Sequence, residues 1–406
     1  MKILYIVPYV PSPIYVRPYN LIRHLAQRDH QIHLLTLTAN EADIQAAARM
    51  ETNCSVTTYP LARGRSLLNA ALAFPTRSPL QAVYCWHPAA ARWLDDRLNQ
   101  GIDDIIHVEH LRGVRYGLRA QRTLQHLGKS TPIVWDSVDC ISYLFRQASS
   151  LAHRLSNRLI ATLEVGRTAR YEGELVRRFR QVLVTSSIDR QALLRLNPSG
   201  SVPNIIVLPN GCDLNYFTPD PSCAREPATL VVSGKMSYHA NVTMALHLVN
   251  DILPLVWAQR PDVKLWIVGK DPDPELTALQ VNPNITITGT VDDIRPYLRR
   301  ATLAVSPILY GAGIQNKLLE AMACGTPVVT TPQAILPLAV RNGVELCVAD
   351  KSQLFAQTIL DLLADPERCS RLGMAGRKYV ENNHHWGKIT ARLESLYQEI
   401  SQCTTN

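Results

Sequence analysis

Short apolar runs alternate with amphipathic stretches along most of this chain. In the first half, strand-like runs such as KILYIVPYV, QIHLLTLT and DIIHVEH are separated by stretches with apolar positions three to four residues apart. The same alternation restarts near residue 229, with ATLVVSGKM, VKLWIVGK and TLAVSPI as the apolar runs. Strands that alternate with helices predict repeated βαβ units and a parallel sheet. We therefore expect an α/β protein with two doubly wound, Rossmann-like sheets.

Two domains are expected because 406 residues exceed what one hydrophobic core usually holds. The segment LPNGCDLNYFTPDPSCAREP carries four prolines and no regular period, which is typical of a linker. Ligands of parallel sheets bind beyond the carboxyl ends of the strands, so we expect the two domains to face each other across a cleft. The predicted bounds are 1–207 for the first domain, 208–228 for the linker, 229–385 for the second domain, and 386–406 for a final helix that packs back toward the first domain.

Positive charge is concentrated in the first half of the chain. The formal net charge is +8, and residues 1–200 hold 25 basic against 15 acidic side chains. This asymmetry predicts either an anionic partner, such as an acidic lipid surface or a phosphorylated substrate, or a solvated arginine-rich face. A nucleic-acid partner is not expected, because the basic half lacks interleaved aromatic residues.

Cysteine spacing and hydropathy exclude other classes. The nine cysteines form no Cys-x-x-Cys pair, which predicts reduced core thiols in a cytoplasmic protein and no metal site. The Asp-x-Asp within KDPDPE is interpreted as part of a proline-rich turn. No run of 18 apolar residues occurs, so no membrane-spanning helix is predicted.

One long helix is predicted over residues 149–180. An apolar face is supplied by Leu151, Leu155, Leu159, Leu163 and Val165, and the opposite face is densely cationic. A surface helix with ion pairs is favoured over a membrane-contacting one.

The stretch GAGIQNKLLEAMACGTPVVTT, Gly311–Thr331, contains the strongest candidate chemistry. It predicts a glycine turn, a helix beginning near Ile314, and a strand. With Gly313 at the expected cap position, no side chain satisfies the first backbone N–H groups. Such a terminus suits a phosphate, which accepts several N–H bonds and is favoured by the helix dipole. Lys317, in the predicted first turn with Gln315 and Asn316, adds a formal positive charge.

Glu320 is the second chemical feature of this helix. We expect it about two turns in, roughly 9 Å from the helix start at ~1.5 Å per residue. That distance is similar to the distance from a nucleotide's pyrophosphate to its ribose diol. A carboxylate at that position can accept hydrogen bonds from both ribose hydroxyls. The alternative is an ordinary βα unit in which Lys317 and Glu320 form an i,i+3 pair.

Several motifs in order resemble glycosyltransferase family 4, whose members are retaining enzymes with the GT-B fold. GIQNKLLEAMACGTPVV resembles the family's donor-binding signature. LPNGCDLNYFTP resembles its interdomain Asn-Gly-Val-Asp-x-x-x-Phe-x-Pro segment, with Cys212 in place of Val. VVSGKM falls at the family's Gly-Arg-Leu turn, and ITGTVDDIRPYLRRATLAVSP follows in order. Together the motifs cover residues 205–335.

The resemblance implies a nucleotide-sugar donor held by the second domain. Glu320 would hold the ribose, Lys235 would face the pyrophosphate, and the Gly289–Val291 turn would border the base. The full set of expected donor-binding residues is Gly234, Lys235, Gly289, Val291, Gly313, Ile314, Gln315, Asn316, Lys317 and Glu320.

Two positions depart from the family pattern. Ala312 stands where many members have a glutamate that contacts the donor sugar, and SYHAN replaces the usual lysine after the Gly-Arg turn. His239 or Asn241 are candidates to contribute there, and Lys317 is expected to supply the second positive charge. The chain thus resembles a divergent, exopolysaccharide-associated subgroup.

In the first domain, DIIHVEHLRG resembles the strand that bears the family's His-x-His-like element. Period two places His107 and Glu109 on one face at the carboxyl end of the strand, with His110 at the start of a loop. The predicted catalytic residues are His107, His110, Lys235 and Lys317, and the predicted acceptor-side residues are Arg17, Glu109 and Asp136. A structural role is the alternative for each of the first-domain residues.

The resemblance implies a retaining glycosyltransferase that moves a sugar from a nucleotide-diphosphate sugar to a glycan or lipid-linked acceptor in surface polysaccharide synthesis. No cofactor or metal is expected. The protein is expected to be cytoplasmic and peripheral at the inner membrane face, through its basic domain. The alternatives are a GT-B-fold epimerase or hydrolase of sugar nucleotides, and a non-catalytic sugar-nucleotide-binding partner in an assembly complex.

Overall fold

The structure, a computed structural model, describes residues 1–197 and 204–405, and their side chains except those of 403–405. The chain forms two compact units. The first contains residues 1–143, 163–210 and 386–406, and the second contains residues 144–162 and 211–385. The division between Asn210 and Gly211 falls inside the predicted linker. The sequence did not predict that residues 144–162 belong with the second unit.

A seven-stranded parallel sheet forms the centre of the first unit. Its spatial order is β3-β2-β1-β4-β5-β6-β7, so the order reverses between β1 and β4. The strands are β1 (Lys2–Ile6), β2 (Gln31–Thr38), β3 (Ser55–Pro60), β4 (Ile105–Glu109), β5 (Ile133–Val138), β6 (Gln181–Val184) and β7 (Ile205–Val207). Every residue of β4 and all of β1 except Lys2 are buried, as expected for central strands covered on both faces.

Helices connect these strands along residues 1–197, the first described part of the chain. They are α1 (Val16–Ala26), α2 (Glu41–Met50), α3 (Arg63–Ala73), α4 (Leu80–Tyr84), α5 (Pro88–Gln100), α6 (His110–Leu127), α7 (Ile141–Leu151), α8 (Leu155–Arg178) and α9 (Ser187–Arg195). The single helix predicted over 149–180 is wrong, because α7 ends at Leu151 and α8 begins only at Leu155. Its leucine face does not pack inward either, since Leu155, Leu159 and Leu163 are exposed.

A six-stranded parallel sheet forms the centre of the second unit. Its order is β10-β9-β8-β11-β12-β13, and it reverses between β8 and β11. The strands are β8 (Thr229–Ser233), β9 (Lys264–Val268), β10 (Ile285–Gly289), β11 (Leu303–Ser306), β12 (Val328–Thr330) and β13 (Cys347–Val348). The two doubly wound sheets confirm the predicted fold class.

The helices of the second unit are α10 (His239–His247), α11 (Leu253–Trp257), α12 (Pro274–Thr277), α13 (Arg295–Arg300), α14 (Asn316–Ala323), α15 (Pro332–Ile335), α16 (Ser352–Ala364) and α17 (Pro366–Asn383). The helical stretch that begins with α10 is interrupted by a π-helical turn at Leu248–Ile252 before α11. Pro254 lies just after that turn, and its missing N–H is the physical reason for a break there.

The last helix, α18 (Trp386–Thr405), belongs to the first unit. Its residues Trp386, Leu393 and Tyr397 are buried in the same apolar cluster as Ile3 and Leu21. The first unit's core therefore needs a segment from the far end of the chain.

The described cysteines are unpaired, and the described helices do not suit a membrane span. The eight cysteines whose side chains are described are free, and all except Cys223 are buried. Cys403 lies outside the described side chains. Within residues 1–197 and 204–405, every helix is too short or too polar to cross a membrane.

A substitution at Gly269 tests how closely the backbone packs at the carboxyl edge of the second sheet. Its φ is +150°, and a Cβ there would lie 1.7 Å from the carbonyl oxygen of Gly234. Gly269→Ala should therefore destabilise the second unit by about 3 kcal/mol, since both backbone strain and a backbone clash are introduced. Denaturant unfolding measures this loss.

Gly166→Ala in α8 is the matched control, because no atom lies within 4 Å of its Cβ position. It should leave stability unchanged or raise it by about 0.5–1 kcal/mol, since alanine is the better helix former. Equal stability of the two variants would contradict the close approach of Gly269 to Gly234.

Candidate functional site

The second sheet brings two chain segments together at its switch point. β8 ends at Ser233 and leads into the Gly234–Lys235 turn, while β11 ends at Ser306 and leads through a loop to α14. Because β8 and β11 are parallel neighbours, both segments leave the same edge of the sheet. Ligands of open parallel sheets bind at this edge, where the strand order reverses.

The start of α14 lacks a side-chain cap, as the sequence predicted. Gln315 is the N-cap residue and makes no capping hydrogen bond. The helix begins at Asn316, two residues later than predicted, because Gly313 (φ 62°) and Gln315 (φ −80°, ψ 94°) lie outside the helical region. Ile314 is 6% exposed and packs in the core, so its side chain is not available to a ligand.

Lys317 lies against the turn that follows β8. Its Nζ donates to Asn241 Oδ1, and Asn241 Nδ2 donates to the carbonyl oxygen of Lys235 at 2.9 Å. The Cε of Lys317 is 3.5 Å from the position of a Cβ at Gly234. Burial lowers the pKa of Lys317 to about 8, against the opposing field of Glu320. The structure thus gathers Gly234, Lys235 and Lys317, as the sequence predicted for donor-binding residues, although their role stays a prediction.

Glu320 lies on the same helix and is half-buried. It forms no hydrogen bond or ion pair with any residue that the structure describes. It is the fifth residue of α14, so its Cα lies ~6 Å from the helix start, closer than the 9 Å predicted. Burial raises the pKa of Glu320 to about 7, and the nearby charge of Lys317 only partly offsets this.

The predicted base-bordering residues lie on the same edge of the sheet but further along it. Gly289 ends β10, which is separated from β8 by β9. It has a left-handed backbone (φ 67°), and no atom lies within 4 Å of its Cβ position. Val291 is partly buried against the second unit's core. The structure therefore leaves open space at Gly289.

Gln147 is a residue of this region that the sequence analysis missed. Its Nε2 donates to the carbonyl oxygen of Gly311 at 3.2 Å, and its Oε1 accepts from the N–H of Gly311 at 3.2 Å. Gln333 also donates to Gln147 Oε1, at 3.1 Å. Ala312 packs against the apolar cluster that contains Ala148. Nothing in the sequence pattern marks Gln147, because 164 residues separate it from Gly311.

A polar cavity of about 220 Å³ lies beside the Gly234–Lys235 turn. Its lining includes Ser237, Tyr238, His239, Thr243, Arg154 and Asp273. Arg154 donates to Asp273 at 2.6 Å, so its charge is already neutralised by the protein. His239, a candidate replacement for the missing lysine, is instead hydrogen-bonded to Tyr310 at 2.7 Å.

A buried polar network occupies the switch point of the first unit. Arg17 Nε donates to Asp136 Oδ2 at 2.7 Å, and Arg17 Nη1 donates to Asn210 Oδ1 at 3.1 Å. Burial opposes the ionisation of Asp136, but Arg17 and His107 lower its pKa to about 2. Arg17 and Asp136 are 3% and 0% exposed, so their predicted contact with an acceptor is not open in this structure.

Glu109 belongs to the same network. Its two carboxylate oxygens accept hydrogen bonds from Tyr5 at 2.7 Å and from Tyr9 at 2.8 Å. Burial, reinforced by the charge of Asp136, raises the pKa of Glu109 to about 7. It is 1% exposed, so it too lies inside the first unit rather than on an open surface.

His107 was predicted to face a cleft, and the structure encloses it completely. Its Nδ1 is 2.7 Å from the hydroxyl of Tyr397 on α18, and its Nε2 is 3.5 Å from Asp136 Oδ2. Burial lowers the pKa of His107, although Asp136 opposes this. The physical reason for the enclosure is that α18 packs onto this edge, which local sequence does not reveal.

His110 is the more accessible of the two histidines. It begins α6 rather than the predicted loop, and it is half-buried. Its backbone is left-handed (φ 64°), as is that of Val138 (φ 67°) at the end of neighbouring β5. Such conformations cost energy in residues other than glycine and cluster at functional sites. Burial, followed by the charge of Arg112, lowers the pKa of His110 to about 3.

His107, Glu109 and Asp136 have potential metal-ligand atoms within 4.8 Å of one another. The arrangement fits a cation poorly, since Asp136 already pairs with the guanidinium of Arg17 and both oxygens of Glu109 accept tyrosine hydroxyls. A divalent ion would have to displace these partners. That the protein needs no metal stays a prediction.

A family model and several known proteins are similar to this chain. Residues 227–365 match the family described as Glycosyl transferases group 1. Over 240 residues, 54% of this chain, the sequence is 29% identical to a GDP-mannose-dependent monoacylated alpha-(1-6)-phosphatidylinositol monomannoside mannosyltransferase of Corynebacterium glutamicum. The match spans 62% of that relative's own length, which is less than two thirds.

Solved structures share the fold over nearly the whole chain. Sucrose-phosphate synthase from Thermosynechococcus elongatus superposes with a TM-score of 0.73 at 20% identity, covering 99% of each chain. Anabaena HepE, solved with UDP and glucose, superposes with a TM-score of 0.69 at 14% identity, covering 98% of this chain and 100% of HepE. Residues 227–365 therefore resemble the group 1 glycosyl transferases, and the chain has the fold of the GT-B glycosyltransferases.

Proposed function

We propose that this protein is a retaining glycosyltransferase that moves a sugar from a nucleoside diphosphate sugar to a glycan or lipid-linked acceptor in surface polysaccharide synthesis. One observation carries the proposal: a partly desolvated ammonium lies at an uncapped helix start, with a partnerless carboxylate one turn further on. The alternative of an ordinary i,i+3 pair is disfavoured, since Lys317 donates to Asn241 and Glu320 has no partner among the described residues.

The donor's diphosphate binds at the start of α14 in this proposal. Backbone N–H groups near Asn316 and the ammonium of Lys317 meet the phosphate oxygens, which the helix dipole also favours. Glu320 accepts hydrogen bonds from the ribose hydroxyls, which supplies the polar partners that its carboxylate lacks within the protein. The base lies toward Gly289, where space is open.

Transfer then depends on stabilising the charge of the departing diphosphate. The bond between the anomeric carbon and the diphosphate oxygen breaks while the acceptor oxygen bonds to the same face of that carbon. The departing phosphate takes the acceptor's hydroxyl proton. Lys317 and Lys235 stabilise the negative charge that grows on that phosphate.

Similar proteins are described with different nucleotides and sugars. The mannosyltransferase relative is described as GDP-mannose-dependent, while HepE was solved with UDP and glucose. The two descriptions thus name different nucleotides.

Ala312 favours a second candidate, a sugar-nucleotide-binding protein without transferase activity. Ala312 stands where the family resemblance implies a glutamate toward the donor sugar, and its methyl group packs against an apolar cluster. Binding of a nucleotide sugar without transfer to lipid extracts would support this candidate. Product formed from the donor without any acceptor would instead indicate an epimerase or a hydrolase.

A surface on α3 supports peripheral association with an anionic membrane. Leu67, Leu68 and Leu72 are 52–67% exposed, and Phe74 beside them is 57% exposed. Arginines at 63, 65 and 77 flank this apolar face. Leucines combined with arginines on one helix suit the boundary between lipid headgroups and acyl chains.

Glu320→Ala tests the ribose contact. The variant should bind a nucleoside diphosphate about 10- to 100-fold more weakly by calorimetry, the loss expected for hydrogen bonds to a charged group. Glu367→Ala, an exposed glutamate of α17, is the control and should bind as the wild type does. Unchanged affinity of Glu320→Ala would contradict the assignment.

Affinity for a nucleotide sugar should be greatest between pH 7 and 8. Below about 7 Glu320 takes up a proton and loses its carboxylate charge, and above about 8 Lys317 loses its ammonium charge. A nucleotide sugar is the right ligand, because its phosphodiesters stay ionised throughout this range. Lys317→Arg should abolish the alkaline decline, since guanidinium stays protonated. A decline that persists in that variant would exclude Lys317 as its source.

Vesicle sedimentation tests the surface on α3. The wild type should bind anionic vesicles in a salt-sensitive way, and Leu68→Gln/Leu72→Gln should reduce binding at least about tenfold through lost apolar contact. Leu354→Gln on α16 changes an equally exposed leucine in the second unit and should have no effect. Equal binding to neutral vesicles would argue against an electrostatic contribution.

A further inference from the structure

Asn241 on α10 connects the two lysines of the candidate donor site. Its Oδ1 accepts from the ammonium of Lys317, and its Nδ2 donates to the backbone carbonyl of Lys235 at 2.9 Å. The side chain is 8% exposed, so water does not replace these partners easily. Asn241 also touches the turn itself, since its Nδ2 is 2.9 Å from the position of a Cβ at Gly234.

The carbonyl of Lys235 determines which way the amide of Asn241 points. That carbonyl can only accept a hydrogen bond, so it binds the NH₂ group of the amide. The amide oxygen is thereby directed to Lys317, whose ammonium can only donate. One planar group thus fixes the Lys317 ammonium relative to the Gly234–Lys235 turn.

We propose that Asn241 is a positioning residue that holds the protonated ammonium of Lys317 beside the Gly234–Lys235 turn. The identity of the ligand, a diphosphate that the ammonium contacts at this turn, rests on the proposed function. The positioning of the ammonium by Asn241 does not. The family resemblance implies a lysine after this turn, but the segment SYHAN contains none. Asn241 compensates by anchoring a lysine from α14 at the same turn.

Few other charges face Lys317. Glu320 lies on its own helix and favours the ammonium, and Lys235 is exposed on the turn. Arg377 of α17 bonds the carbonyl of Ala323 at 2.8 Å, at the opposite end of α14. β11 and β12, which also pack against α14, carry no titratable residue. A change at Asn241 should therefore be visible in the titration of Lys317.

The first experiment measures the rate of Lys317 acylation by a lysine-selective reagent across pH, read by peptide mass spectrometry on the full chain. The wild-type midpoint is expected near 8. Asn241→Asp should raise it by about one pH unit, because a carboxylate beside the ammonium favours the charged form. Asn241→Leu should lower it, because burial continues while the hydrogen bond to the charged form is lost.

These opposite shifts separate positioning from mere structural damage. A loosened site would hydrate Lys317 and raise its midpoint in both variants. Shifts in the same direction, or no shift in either variant, would overturn the proposal. Asn284→Asp is the matched control: it makes the same substitution at the start of β10, where Asn284 bonds Pro261 at 3.0 Å, and should leave the midpoint unchanged.

A second experiment separates this proposal from the proposed function. UDP, GDP and ADP are titrated calorimetrically into the wild type and Asn241→Leu at neutral pH. The variant is expected to bind the preferred nucleotide about tenfold more weakly. Binding of none of these nucleotides by the wild type would overturn the proposed function, while the acylation midpoints would still decide the role of Asn241. Equal affinities would overturn the positioning role toward the diphosphate.

Discussion

The candidate site of the second unit depends on the Lys317 ammonium, whose positive charge is destabilised by burial and by the helix dipole. Lys317 is the second residue of α14, where the helix dipole is already positive, and burial lowers the pKa of its ammonium to about 8. Asn241 and Glu320 compensate only in part. An anion at the helix start would interact favourably with the helix dipole and would offset the desolvation cost of the ammonium. The folded protein therefore carries an electrostatic cost here that a ligand is suited to remove.

In the first unit, the buried charged groups have hydrogen-bond or ion-pair partners within the protein. Arg17 and Asp136 neutralise each other, Glu109 accepts two tyrosine hydroxyls, and His107 is bonded to Tyr397. This network ties β1, β4, β5, α1 and α18 together inside one core. The two units differ in the partners of their carboxylates: Glu320 of the second unit has no hydrogen-bond or ion-pair partner among the described residues, whereas Glu109 and Asp136 of the first unit both do.

Much of the fold could be predicted from the sequence, because buried parallel strands read as short apolar runs. The glycine turn at Gly313 and the uncapped start of α14 could be predicted for the same local reason, since they depend on neighbouring residues, although the helix begins two residues later than predicted. Predictions failed for residues whose surroundings are set by segments far away in the sequence. His107 was expected at an open edge, but Tyr397, 290 residues away, covers it. Gln147 was missed because its amide meets Gly311 only after the chain folds.

The sequence by itself determined two doubly wound sheets, the division near the proline-rich linker, and a helix whose first turn lacks a capping side chain. Those properties follow from periodicity and local backbone preference, which act over a few residues. Only the tertiary structure decided that Lys317 contacts Asn241, that Glu320 stays unpaired, and that the first unit's acids and histidine are enclosed. Desolvation and long-range pairing set these states, and neither is encoded in any single stretch of the chain.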